Sequence, residues 1–100
     1  MTLLVSYDIA DNRLRGKAAN RLLEYGFIRL QLSVFAGAPT AAVWRQCLLW
    51  LQKEVIGAFG PDDRLFYLPL TDGQSKIFVF LPQPPDDWNE LLRPPNTLIL

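Results

Sequence analysis

Gly26-Phe27-Ile28-Arg29-Leu30-Gln31-Leu32-Ser33-Val34-Phe35-Ala36-Gly37 is a run of alternating residues closed by glycine at each end. Alternation with a period of two is the pattern of a strand with two different faces, here Phe27 to Ala36. Ile28, Leu30, Leu32 and Val34 fall on one face. Phe27, Arg29, Gln31, Ser33 and Phe35 fall on the other, so a guanidinium, an amide and a hydroxyl share one side of a strand. Gly37, Ala38 and Pro39 end it.

Upstream, Thr2 to Ile9 reads as a second strand. Leu3, Val5 and Tyr7 alternate with Leu4, Ser6 and Asp8, so the strand starts apolar on both faces and ends on a carboxylate. Asp11 suits a helix N-cap or first turn. Leu14, Ala18, Leu22 and Tyr25 follow at helical spacing, with Arg13, Lys17, Asn20, Arg21 and Glu24 opposite. Gly16 interrupts that helix at a cost of ~1 kcal/mol against alanine. Gly26 can take the positive φ of a helix C′ position.

Downstream, Thr40 is a candidate N-cap for a helix reaching about Phe59, with Val43, Trp44, Cys47, Leu48, Leu51 and Val55 on its apolar stripe. Gly60-Pro61 ends it. Asp63 to Leu70 reads as a strand, with Pro69 confining that position to an edge or an end. Thr71-Asp72-Gly73-Gln74 reads as a turn, and Lys76 to Leu81 as a fourth strand. The order β-α-β-α-β-β gives an α+β sandwich of the ferredoxin-like kind, the β-α-β-β-α-β type, with helices on one sheet face. The other face is left bare, and in so apolar a chain it calls for a partner. Residues 1–81 form this domain. Residues 82–100 form a proline-rich tail in which Asp87 to Leu92 suits one helical turn. Its terminal Thr97-Leu98-Ile99-Leu100 suits a strand added to a sheet edge.

One hundred residues, half of them hydrophobic, make one domain with a real core. The longest apolar run, Cys47 to Leu51, is far short of a membrane span. With no leader pattern at the start, the expected location is the cytoplasm. A single cysteine, Cys47, cannot make an internal disulfide and sits on a helix stripe, where it reads as a small buried hydrophobe. Net charge is zero, which counts against a strong nucleic-acid binder. Its distribution is uneven, however. Residues 1–30 carry five cations against three anions and residues 31–100 five against seven. A phosphate-facing patch and an ordinary solvated helix face both fit that asymmetry.

The chain has no histidine, which removes the commonest general base. It also lacks a phosphate-binding glycine loop, a zinc-ligand set and a serine nucleophile elbow. The polar pairing of Asp8 with the Arg29 strand is the remaining candidate for chemistry. Asp8 is a turn former or a Mg²⁺ ligand. Mg²⁺ takes one or two carboxylates, waters and a substrate phosphate, so one Asp8 is a poor site and two across a twofold axis an adequate one. Arg29 is either a structural arginine paired with Asp8 or Glu24, or a phosphate fork. Arg13, Arg15, Lys17 and Arg21 are candidates for backbone contacts or plain surface. Of the tryptophans, Trp44 reads as core and Trp88 as an interface anchor, with Trp50 away from the stripe's centre.

Three segments together resemble the CRISPR-associated Cas-two family. Ser6-Tyr7-Asp8-Ile9 is similar to that family's Y-D-I start. Asp11 to Arg15 resembles its D-x-x-x-R helix opening, and Arg29 to Phe35 its R-[VI]-Q-x-S-V-F strand. The resemblance covers about the first third of the chain. It implies a ferredoxin-like homodimer packed sheet to sheet, with C-terminal segments crossing to the partner. It also implies that Asp8 from each chain meets near the twofold axis to bind Mg²⁺ or another divalent metal, as catalytic and metal-binding residue. Arg15, Arg29 and Phe35 match family functional positions, and Lys17 stands where some members carry another basic residue. On this reading Arg13, Arg15, Lys17 and Arg29 bind nucleic acid, with Ser33 and Phe35 in support.

Two roles follow from the resemblance. One is a scaffold in spacer acquisition that binds double-stranded DNA and bridges dimers of the CRISPR integrase subunit. The other is a metal-dependent endonuclease on DNA or single-stranded RNA. A toxin-like ribonuclease of the virulence-associated D type, which shares the fold and an early Asp, is the alternative.

Overall fold

The computed structural model describes residues 2–92. β1 (Thr2–Asp8) leads into α1 (Asn12–Glu24), then β2 (Ile28–Gln31), β3 (Val34–Gly37), α2 (Ala41–Glu54), a short 3₁₀ turn at Ile56–Ala58, and β4 (Arg64–Leu70). α3 (Asp72–Lys76) and α4 (Trp88–Leu91) follow. The four strands form one antiparallel sheet in the order β2-β3-β1-β4. Taken through β4, the order is β-α-β-β-α-β, the expected ferredoxin-like α+β class.

The strands that make up this pattern differ from the expected ones in two places. Residues 27–36 are not one strand. Leu32 and Ser33 form a two-residue turn, so the segment folds on itself as the β2–β3 hairpin. The register also shifts between Arg29 and Gln31. Arg29 pairs with Phe35, whereas Gln31 pairs with Val34, so Arg29 and Gln31 point to opposite faces rather than sharing one. Second, Lys76 to Leu81 pairs with no strand among the described residues, and the expected turn at Thr71–Gln74 opens α3 instead. There Thr71 and Gln74 make a reciprocal capping box: the Thr71 hydroxyl accepts from the Gln74 N–H at 3.1 Å, and Gln74 Oε1 from the Thr71 N–H at 2.9 Å. The expected strand at Thr97–Leu100 lies outside the described residues.

Both long helices start where expected. Asp11 accepts from the Leu14 N–H at 2.8 Å, and Thr40 from the Val43 N–H at 3.2 Å. α1 ends in a Schellman closure on Gly26, whose φ is +86°. Phe27 N–H bonds to Leu22 O and Gly26 N–H to Leu23 O, each at 3.0 Å. α2 stops at Glu54, short of the expected Phe59, and continues only as the 3₁₀ turn.

The helices cover one face of the sheet. Leu3, Val5 and Tyr7 of β1 and Phe35 of β3 meet Leu14, Ala18 and Leu22 of α1 and Trp44, Cys47 and Leu51 of α2 in one buried core. Trp44 is core, as expected, wedged 5.9 Å from the Phe27 ring and 5.0 Å edge-on from Tyr67. Burial pushes the Cys47 thiol up to about 11 against a smaller downward pull from Arg21. No helix among the described residues is long and apolar enough to cross a membrane.

The opposite face carries Leu4, Ser6 and Asp8 of β1 beside Arg64, Phe66 and Leu68 of β4, by direct cross-strand register. Phe66 is 60% exposed and Leu68 50%. At the other end of this face Thr2, Ala36 and Leu70 are buried, and α3 packs against β4. Beyond α3, residues 79–86 face Leu30 and Gln31 of β2 across a cavity of about 520 Å³. Trp88 does not stand free as an interface anchor. It is buried within its own chain, 5.1 Å from the Phe78 ring and 4.9 Å from Phe80.

Candidate nucleic-acid and metal site

The site begins where β1 runs out. Asp8 is the first exposed residue of that strand, and beyond it Ile9 turns inward to the core. Between the end of β1, the first turns of α1 and the β2–β3 turn lies an open groove of about 500 Å³. Asp8, Asn12, Arg15, Arg29 and Ser33 all line it. Four of the expected site residues, Asp8, Arg15, Arg29 and Ser33, thus meet in one place although they come from three parts of the chain.

Arg15, Arg29 and the turn bearing Ser33 are each held there by a specific contact. Arg15 reaches back across the β1–α1 turn, and Nη1 donates to Ile9 O at 2.9 Å while Nη2 donates to Asn12 Oδ1. The guanidinium is therefore fixed in direction and keeps donors to spare. Arg29 lies over the face of Phe35, 5.0 Å from the ring centroid. It pairs with neither Asp8 nor Glu24, since Glu24 engages Arg21 at 3.8 Å. Phe35 itself is fully buried and stacks on Tyr7 at 5.9 Å, so its part is to support Arg29 from the core. The turn that carries Ser33 rests on Tyr7: the Tyr7 N–H donates to Ser33 O at 3.1 Å and its hydroxyl to Leu32 O at 3.5 Å.

The other two expected cations lie on the far side of α1. Arg13 and Lys17 line a second depression of about 750 Å³ with Asp11, Asn20 and Ala58. Lys17 is paired with Glu54 at 3.6 Å, an exposed contact of small worth. Arg21, one turn further, stacks on Trp50 with its guanidinium 4.0 Å from the ring centroid.

For a divalent metal, Asp8 is the only expected ligand. Among the described residues no group of three or more His, Cys, Asp or Glu side chains converges. Asp8 is the one carboxylate in the groove's lining. That donor fits Mg²⁺, which keeps several waters and takes one or two carboxylates plus substrate phosphate. A second copy bringing its own Asp8 would add the second carboxylate.

Sequence reasoning missed a residue that shapes this corner. Asp63, just before β4, accepts from the Ala10 N–H at 2.9 Å and the Gly60 N–H at 2.8 Å. It ties the β1–α1 turn to the α2–β4 loop, and those two backbone donors hold its carboxyl below the usual carboxylate range. No local pattern announces a bond spanning 53 residues. Across β1, Arg64 sits directly opposite Asp8.

With this geometry in view, comparison with known proteins is informative. Residues 1–77 match the family described as CRISPR associated protein Cas2. A CRISPR-associated endoribonuclease Cas2 from Korarchaeum cryptofilum (strain OPF8) is 34% identical over 77 residues, covering 77% of this chain and 80% of its own length. A second, Cas2 2 from Pyrobaculum aerophilum, is 36% identical over 58 residues, covering 58% and 64%. Among solved structures, hypothetical protein TT1823 from Thermus thermophilus superposes with a TM-score of 0.61 at 28% identity, over 70% of this chain and 80% of that one. Streptococcus pyogenes Cas2 at pH 6.5 gives 0.69 at 21% identity, over 81% and 99%, and shares the fold.

Proposed function

The chain belongs to the CRISPR-associated Cas2 family, and from that premise we propose that it is a nucleic-acid-binding protein of spacer acquisition that acts as a homodimer and carries a metal-dependent endonuclease centre at Asp8. The observation that supports this most is the convergence of Asp8, Arg15 and Arg29 on one open groove. A carboxylate beside two oriented guanidiniums suits a phosphodiester approached by a hydrated divalent cation. In that site Arg15 and Arg29 would hold the phosphate, with Ser33 as a further donor and Phe35 keeping Arg29 in place. When bound, Mg²⁺ would lower the pKa of a water and offset charge on the phosphate. The metal's second carboxylate would be Asp8 of the other copy.

A scaffold reading shares the same surface. The cations extend past the groove to Arg13 and Lys17, a span larger than one scissile phosphate needs and suited to double-stranded DNA. On this reading the dimer holds a new spacer duplex and bridges two integrase dimers. The virulence-associated D type ribonuclease, the alternative from sequence, is disfavoured by the family match over residues 1–77.

The deciding measurement is cleavage of single-stranded RNA and double-stranded DNA by the purified protein with Mg²⁺ or Mn²⁺, beside Asp8→Ala. We expect cleavage that chelation stops and that falls to background in Asp8→Ala. Equal activity in both proteins would remove Asp8 from the chemistry. No activity in either, with salt-sensitive duplex binding retained, would leave the scaffold role.

A further inference from the structure

Gly16 has no structural reason to be glycine. It lies inside α1, where glycine is the poorest residue after proline because it gives up most backbone freedom. Its φ is negative, so the backbone does not require it. A Cβ built on it meets nothing within 4 Å, so packing does not require it either. Gly37 shows the contrast, since a Cβ there would lie 2.6 Å from the Phe27 ring.

Gly16 and Asn12, one turn before it, both line the two depressions on α1, the groove holding Arg15 and Arg29 and the one holding Arg13 and Lys17. Of the two, only Gly16 presents bare backbone there, with cations on either side. Of the carboxylates beside it, Asp8 lines the groove as the expected metal ligand, so a bound cation would offset its charge, Asp11 is engaged in capping Leu14, and Glu54 pairs only loosely with Lys17, a contact a phosphate can replace. A bare backbone between two cation-lined hollows is the shape that lets another chain's backbone approach closely.

We infer that Gly16 is the crossing point of a phosphodiester backbone over α1. The strand passes from the Arg15–Arg29 groove to the Arg13–Lys17 depression, and a side chain at position 16 would lift it from the phosphate contacts on both sides. This rests on the nucleic-acid-binding reading above and adds to it the path of the strand and a residue that sets its approach.

The test compares the unmodified protein with Gly16→Ala and Gly16→Leu, measuring Tm and the affinity for a labelled DNA duplex and a labelled single-stranded RNA over a range of salt. Alanine should raise Tm by about 4–8 °C through helix propensity and yet weaken binding. Leucine should weaken it on the order of tenfold and lower the slope of log Kd against log salt by about one to two, the loss of one or two phosphate contacts. Better folding with poorer binding is an outcome that a purely structural glycine does not give. Wild-type affinity and salt slope in Gly16→Ala, with the same in Gly16→Leu if it folds, overturns the crossing point while leaving the nucleic-acid reading intact. Absence of salt-sensitive binding in the unmodified protein defeats that reading and the crossing point with it.

Discussion

At the level of single residues, the cations that sequence treats alike differ in how they are held. Arg15 is tied to Ile9 O, Arg29 rests on Phe35, and Lys17 makes only an exposed pair with Glu54. Asp63 is the least conspicuous of the charged residues and the most constraining, because one carboxylate joins two loops through backbone N–H groups. Those bonds are made to the ionised form, so its folded pKa lies below that of a free aspartate. The stabilisation it gives is therefore full above the unfolded value and is lost as pH falls through the lower, folded one. Urea unfolding followed from neutral pH into the acid range should show the unmodified protein losing stability there. Asp63→Ala should start less stable at neutral pH and show a flatter acid limb. An acid limb unchanged in Asp63→Ala would mean that other carboxylates account for it.

At the level of elements, the starts of the two long helices are legible in the sequence and the strand breaks are not. Asp11, Thr40 and Gly26 announce their caps because each acts on backbone groups within three residues or so. The β2–β3 hairpin sends no such signal. Its turn residues are Leu32 and Ser33, with neither glycine nor asparagine, and among the described residues no non-glycine residue has positive φ. Period-two alternation runs straight through the turn, so Phe27 to Ala36 reads as one long strand. The same pattern misleads at Lys76–Leu81, where Phe78 and Phe80 pack on Trp88 and the alternate residues Ile77, Val79 and Leu81 stay exposed. What closes the hairpin end is contact between Gly37 and the buried Phe27 ring, which a methyl group would strike at 2.6 Å. Gly37→Ala should destabilise the protein by about 1–3 kcal/mol, the range for overpacking a filled site. Chemical denaturation checks this, and a variant as stable as the parent would mean the Phe27 ring yields freely.

At the level of the whole molecule, the sequence points to an open sheet face, and the structure shows which part of it is open. The end bearing Thr2, Ala36 and Leu70 is buried, whereas Phe66 and Leu68 remain exposed toward the end that carries Asp8. Ser6 is paired with Phe66, and Asp8 follows two residues along β1. A second copy seated on Phe66 and Leu68 about a twofold axis near Asp8 would bring the two Asp8 side chains together, which is the arrangement a two-carboxylate metal site needs. Burying each of these side chains is worth about 1.5–3 kcal/mol, counted once per chain, before the cost of association. An acidic side chain at either position should outweigh that gain, since a charge would be buried without a partner. We expect the unmodified protein to sediment as a dimer and Phe66→Glu to sediment as a folded monomer, with circular dichroism showing the fold retained. The same variant should lose metal-dependent cleavage together with the dimer, although Asp8 is untouched. A Phe66→Glu protein that remains dimeric would place the interface elsewhere. A monomer that still cleaves, and loses cleavage with Asp8→Ala, would show that one Asp8 suffices and that the second copy serves binding alone.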